Sequence, residues 1–304
     1  MLKKFIVLSL TLVLVLSASL PIAFASKPSL KQDAVPTATK VKTLCSVERP
    51  SGVYPGSNGG VYVEDFETGD LFWCASGTAT LLAAPPVSSA VYVGMAGVKT
   101  SQGLVLVLVS MAPPGIWFCT GATSTGCKSQ SAFTQLPSGF CNAMTSGCSP
   151  YGVSLDKKLN IYYADPFNEV VVTCTKASGY QTCTTVENLA PYAPSGIFRD
   201  GSGNLWVSDL SCNGKVWENG VVKFTLGTAL GAITMSTANP SKTNHLYVAV
   251  TARGCTGIAH IQDLTDGNSL PTPFSDNSMI FGLTTKLQFT GYDTQMVYKT
   301  TDKT

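Results

Sequence analysis

Two segments of the chain share one layout nearly position for position: PSGVYPGSNGGVYVEDFETGDLFWCASG, from Pro50 to Gly77, and PSGIFRDGSGNLWVSDLSCNGKVWENG, from Pro194 to Gly220. Each reads as a Gly-led strand, a polar Gly turn, an aromatic-bearing strand ending in Asp, a second turn, and a strand with Trp. A unit of this kind cannot bury its own faces, so it must stack on copies of itself. Aligning the chain on the opening glycine gives Gly52, Gly97, Gly152, Gly196, Gly231 and Gly282, spaced by 45, 55, 44, 35 and 51 residues. Periods of about 40 to 50 residues are the size of propeller blades.

The register inside the units is tighter than the spacing between them. Thirteen residues after the first four glycines stand Asp65, Ser110, Asp165 and Asp209, closing the runs VYVE, LVLV, IYYA and LWVS. Twenty-two residues after the first three stand Cys74, Cys119 and Cys174, and after the fourth Glu218, next to Trp217. Runs such as LWVSD alternate only weakly, as strands with both faces against apolar neighbours do. SNGG, DKKLN and DGSGN between the runs carry Gly and Asn for tight reversals. Each unit is therefore expected to be a small antiparallel sheet.

The segments PYGVSLDKKLNIYYADPFNEVVV and PSGIFRDGSGNLWVSDLSCNGKVW resemble NHL-type and SMP-30/gluconolactonase-like propeller repeats: Pro-x-Gly-apolar, a Gly/Asn turn, an aromatic strand closing on Asp, then Asn-x-apolar. The match is good in units one, three and four and loose in two, five and six. The resemblance implies an all-β fold, a six-bladed β-propeller around a central channel, with ligands taken at the face where the second strands end. Unit six is short, and KVKTLCSV, Lys40 to Val47, is expected to complete it, so that both chain ends pair in one sheet. Residues 40–304 are read as a single propeller domain and polar residues 26–39 as a flexible leader.

The opening MLKKFIVLSLTLVLVLSASLPIAFAS has two lysines, an apolar run and Ala23-Phe24-Ala25, the pattern of a signal peptide, residues 1–25, cleaved after Ala25. The alternative is a retained anchor, since Phe5 to Ala25 is uncharged and approaches the ~20 residues that span a bilayer. Loss of Lys3 and Lys4 leaves 18 basic residues against 18 acidic ones. So balanced a chain has no electrostatic footprint for nucleic acid, and membrane attachment is expected only through a retained anchor.

Ten cysteines, all beyond Ala25, fit export to an extracellular or periplasmic, oxidising compartment. No CxxC pair or Cys/His cluster points to zinc. Cys119 and Cys127 flank TGATSTG, and Cys174 and Cys183 flank TKASGYQT, at corresponding places in their units; opposed hairpin residues lie within disulfide range. Cys141 and Cys148 enclose NAMTSG and are expected to tie an inserted loop. Cys212 and Cys255 follow the second strands of units four and five and would join adjacent blades. Cys45 and Cys74 pair by elimination.

Chemistry is less legible. Asp65, Asp165 and Asp209 should share one face and are candidate ligands for Ca²⁺, the one cofactor expected, if any; the alternative is that each caps the following turn through backbone N–H bonds. The resemblance to lactonases implies a further Glu before an opening Gly and Asn near the inner-strand starts. Here those preceding residues are Ser51, Ala96, Tyr151, Ser195, Leu230 and Phe281, and only Asp165 and Asp209 match the family's acidic position. His245 and His260 could pair across strands; a streptogramin-lyase-like site would join His to Glu, but the closest acid is Asp263. Tyr54, Tyr151, Tyr192, Phe198 and Phe281 cluster near the inner-strand starts, as a binding rim or as core. Taken together, these features describe a secreted, disulfide-stapled propeller that binds a protein, glycan or small-molecule ligand. The alternative is a divalent-metal-dependent lactonase or hydrolase with its site at the axial face.

Overall fold

The computed structural model describes residues 41–300, apart from 57–58, 88–89, 102, 122–126, 128–131, 138–140, 142–146, 238–241, 252–254, 256–257, 271 and 275–278. The expected signal segment and leader, 1–39, lie outside these residues. Strand β1 (Lys42–Ser46) precedes five four-stranded sheets. Blade one holds β2 (Pro50–Pro55), β3 (Val61–Asp65), β4 (Leu71–Ala75) and β5 (Thr78–Ala83); blade two holds β6 (Val91–Thr100), β7 (Gly103–Ala112), β8 (Pro114–Gly121) and β9 (Phe133–Gln135). Blade three holds β10 (Val153–Leu155), β11 (Ile161–Asp165), β12 (Val170–Cys174) and β13 (Cys183–Asn188); blade four holds β14 (Pro194–Arg199), β15 (Leu205–Asp209), β16 (Lys215–Glu218) and β17 (Val221–Thr225). Blade five holds β18 (Leu230–Ser236), β19 (His245–Val250), β20 (His260–Asp263) and β21 (Ser269–Leu270). Blade six is the sheet β1, β23 (Met296–Lys299), β22 (Gln288–Gly291), with Leu283 bridging to Phe289 on its inner side. The protein is thus a six-bladed β-propeller, and β1 closes the ring as expected.

Burial follows position in the blade. Every residue of β3, β11, β15, β19 and β22 is buried, whereas β5, β13 and β17 are largely exposed. The second strands lie between neighbouring blades and so carry the near-continuous apolar runs seen in the sequence. Among the described residues, six core clusters fill the six seams between blades. Val53, Val63 and Val297 meet at the closing seam, Tyr92 and Leu106 pack between blades one and two, and Ile197 and Trp217 between three and four.

At the opening glycines the inner strands approach one another so closely that a side chain is excluded. A Cβ on Gly152 would run into the carbonyl oxygen of Ser195, and one on Gly94 into that of Tyr151; the contact recurs at Gly196, Gly231 and Gly282. The second unit therefore opens on Gly94, and the expectation of Gly97 is corrected. Gly97 instead lies under the ring of Tyr54. The cause is local: β6 is ten residues long and its pairing with β7 shifts at Val91/Tyr92 and at Tyr92/Gly94, which displaces the count taken from spacing.

All five disulfides have the expected partners: Cys45–Cys74, Cys119–Cys127, Cys141–Cys148, Cys174–Cys183 and Cys212–Cys255. Cys174 and Cys183 are directly opposed in the β12–β13 ladder, with Cα atoms 4.1 Å apart. Cys45–Cys74 crosses from blade six to blade one, and Cys212–Cys255 from blade four to blade five.

Candidate functional site

The inner strands enclose an axial channel of about 290 Å³ to which all six blades contribute. Its wall is the backbone of the close-packed glycines together with the partly exposed Met95, Ala96, Leu155 and Ala232, the hydroxyl-bearing Ser154, Thr234, Thr284 and Thr285, and a few rings. Tyr54, Tyr151, Phe198 and Phe281 are among those rings. Burial pushes the Tyr54 phenol above its ordinary pKa. Tyr151 and Phe281, 6.1 Å apart between centroids, stand where the inner strands begin and join Phe66 and Tyr292 in one aromatic cluster; Phe281 lies 5.6 Å from Phe66 and 5.5 Å from Tyr292. Arg49 covers Tyr292 from outside, at 5.8 Å from its centroid, and pairs with Glu67. Tyr192 is set apart: its ring packs 5.4 Å from Trp217 beneath the Lys215 ammonium, away from the channel lining.

The three aspartates occupy equivalent buried positions at the ends of β3, β11 and β15. Each accepts a backbone N–H from 16 residues upstream: Asp65 from Arg49 at 2.9 Å, Asp165 from Ser149 at 2.9 Å, Asp209 from Ala193 at 3.2 Å. Each also accepts N–H groups of the following turn, from Glu67 and Thr68, from Phe167 and Asn168, and from Ser211. The carboxylates thereby fasten the entry of one inner strand to the turn after the next strand. They lie in separate blades. Among the described residues, the group of three acids, imidazoles or thiols within 4.8 Å of one another is His245, Asp263 and Asp266. His245 faces Asp263, with Nδ1 2.7 Å from Oδ2, while His260 turns its Nδ1 to the Ile258 carbonyl at 2.7 Å. The two histidines therefore do not pair with each other.

Sequence reasoning missed two residues. Glu64 is fully buried behind Gly52, and neither carboxyl oxygen has a hydrogen-bond partner among the described residues. Desolvation holds its pKa well above the ordinary carboxylate range. The other is Arg199, at the last position of β14, the one charged side chain among the described residues of the channel lining. Its signal was faint: the equivalent inner-strand ends are Pro55 and Leu155.

Fold and site together define a six-bladed β-propeller with an axial channel of mixed polar and apolar lining. Solved structures similar to it include virginiamycin B lyase from Staphylococcus aureus, 13% identical, covering 86% of this chain and 99% of that one with a TM-score of 0.56. A gluconolactonase from Xanthomonas campestris is 14% identical over 86% of this chain and 89% of its own, with a TM-score of 0.58. The PQQ-bound aldose sugar dehydrogenase from Streptomyces coelicolor is 10% identical over 88% of this chain and 99% of its own, with a TM-score of 0.57. At these identities the likeness is one of fold, of the SMP-30/gluconolactonase and lyase propeller type. No family profile and no curated protein matches the sequence.

Proposed function

We propose that this chain is an exported binding propeller whose axial channel takes a small ligand with both apolar and polar groups. The lining carries the reading: glycine backbone, aliphatic and aromatic side chains and scattered hydroxyls are the make-up of a preformed small-molecule site. Export rests on the signal-like opening residues and the five disulfides, which belong with an oxidising compartment. Among the described residues no helix is long and apolar enough to cross a membrane. The neutral dye N-phenyl-1-naphthylamine tests the channel. Its fluorescence should rise and saturate at one site per chain, and Thr285→Trp, which fills an exposed position at the mouth, should abolish the rise. Equal binding by both proteins would place the dye elsewhere and sink the reading.

A second reading, a divalent-metal-dependent hydrolase using Asp65, Asp165 and Asp209, draws on the shared fold of a gluconolactonase. Its test is a calcium titration of the chelator-treated protein.

A further inference from the structure

We propose that the channel selects an anion with an apolar body, a small carboxylate, and that Arg199 sets that selectivity. The inference rests on the binding reading above and adds its charge.

Arg199 ends β14 at the mouth formed by the loops that leave the inner strands. Its backbone N–H donates to Ser154 Oγ at 3.2 Å, which fastens the base of the side chain to blade three. Its guanidinium lies over the Tyr162 ring, 4.6 Å from the centroid. A cation on an aromatic face keeps its N–H groups at the rim, pointing outward for a partner. No carboxylate among the described residues forms an ion pair with it.

The acids nearest in the fold are committed elsewhere. Asp156 and Asp200 head the equivalent turns DKKLN and DGSGN, next to Leu155 and Arg199. Asp156 accepts the N–H of Lys158 at 2.8 Å and of Asn160 at 2.9 Å, and the Asn160 amide at 2.9 Å. Asp200 accepts the N–H of Ser202 at 2.9 Å and of Asn204 at 2.8 Å, the Asn204 amide at 2.9 Å and the Trp206 indole at 3.2 Å. Burial raises the Asp200 pKa, but those donors outweigh it and hold the group below the ordinary range. Both carboxylates are thus held by donors of their own turns, and neither forms an ion pair with Arg199 among the described residues. A second cation, Lys286, stands on the matching loop of blade six, its Nζ donating to the Gly56 carbonyl at 3.3 Å.

The mouth therefore offers one guanidinium with no carboxylate partner among the described residues, above a channel of mixed polar and apolar lining. A carboxylate meets the planar guanidinium with two parallel hydrogen bonds, while its hydrocarbon enters among Met95, Ala232 and the rings of Tyr54 and Phe198. One guanidinium matches a monoanion, whereas a phosphate dianion would leave one of its charges without a partner there.

Calorimetric titration with 3-phenylpropanoate and octanoate, each beside its alcohol, 3-phenylpropanol or 1-octanol, tests the assignment. A charge-assisted pair predicts that the acids bind about tenfold tighter or more than the alcohols. Arg199→Gln, checked for an unchanged circular dichroism spectrum, should erase the difference, and Arg199→Lys should restore part of it. A preference for one acid over the other then separates an aromatic from an alkyl source. If acids and alcohols bind alike, or Arg199→Gln keeps the difference, the anion assignment falls while dye binding in the channel stands. If neither the dye nor the acids bind, both readings fall.

Discussion

Glu64 takes in blade one the place that Ala164 and Ser208 take in blades three and four, directly before the strand-ending Asp. Ser208 can serve there: it accepts the Gly196 N–H at 3.0 Å and donates to the Gly231 carbonyl of the next blade. In blade one the register shift of β6 brings the Met95 backbone nitrogen to that spot, and the longer acid ends with no partner among the described residues. Burial keeps the proton on Glu64 at pH values where the unfolded chain has already released it. The unfolded chain then binds fewer protons than the folded one, so stability falls as pH rises from the ordinary Glu range through the raised folded pKa. Glu64→Gln removes that slope. The variant should gain on wild type by up to about 1.4 kcal/mol per pH unit across that window, and the gain should shrink toward zero at pH about 4. Denaturant unfolding of both proteins from pH 4 to 8 measures it, and parallel curves would contradict it. Glu187, pushed up to about 7 mainly by burial, titrates in both proteins and cancels in the comparison.

Among the strands, the seams between blades hold the molecule together, and the closing seam joins the first described strand to blade one. Blade six contributes three strands to it, and its outermost strand comes from the other end of the chain. Cys45–Cys74 staples that strand to β4 across the seam. Replacing both cysteines with serine should cost about 2 to 4 kcal/mol, read as a lower midpoint in thermal unfolding with the other four bridges verified by mass. No change in midpoint would mean that Val53, Val63 and Val297 hold the seam unaided. The same strands show what could be read in advance. Asp65, Asp165 and Asp209 and the cysteine column were legible because turns of similar length put them at fixed distances from an axial glycine. Gly94 was not, since two irregularities in β6 leave no compositional trace. Arg199 was hidden because position, rather than residue type, makes an inner-strand end part of the mouth. Tyr192 shares the composition of a rim residue but follows a loop and packs on Trp217.

For the molecule as a whole, the question is whether one face gathers a metal or only a ring of turns. Asp65, Asp165 and Asp209 already serve backbone donors in three different blades. Titration of Ca²⁺ into chelator-treated protein should give no heat, and Asp165→Asn should cost on the order of 1 kcal/mol through lost turn bonds, with the same loss in calcium and in chelator. A one-site isotherm abolished by Asp165→Asn and Asp209→Asn would instead turn the search toward lactone and ester substrates. The ring itself imposes an order of events. Ser46 meets Gln295 across 249 positions of sequence, so β1, the first strand among the described residues, is made long before the strand it pairs with. Until then β1 is an unclaimed edge, and such edges recruit other chains. A chain that stalls or is trimmed before Met296 leaves that edge open for good, and what it loses first is its solitude, sheet joining sheet between molecules where one molecule should have met itself.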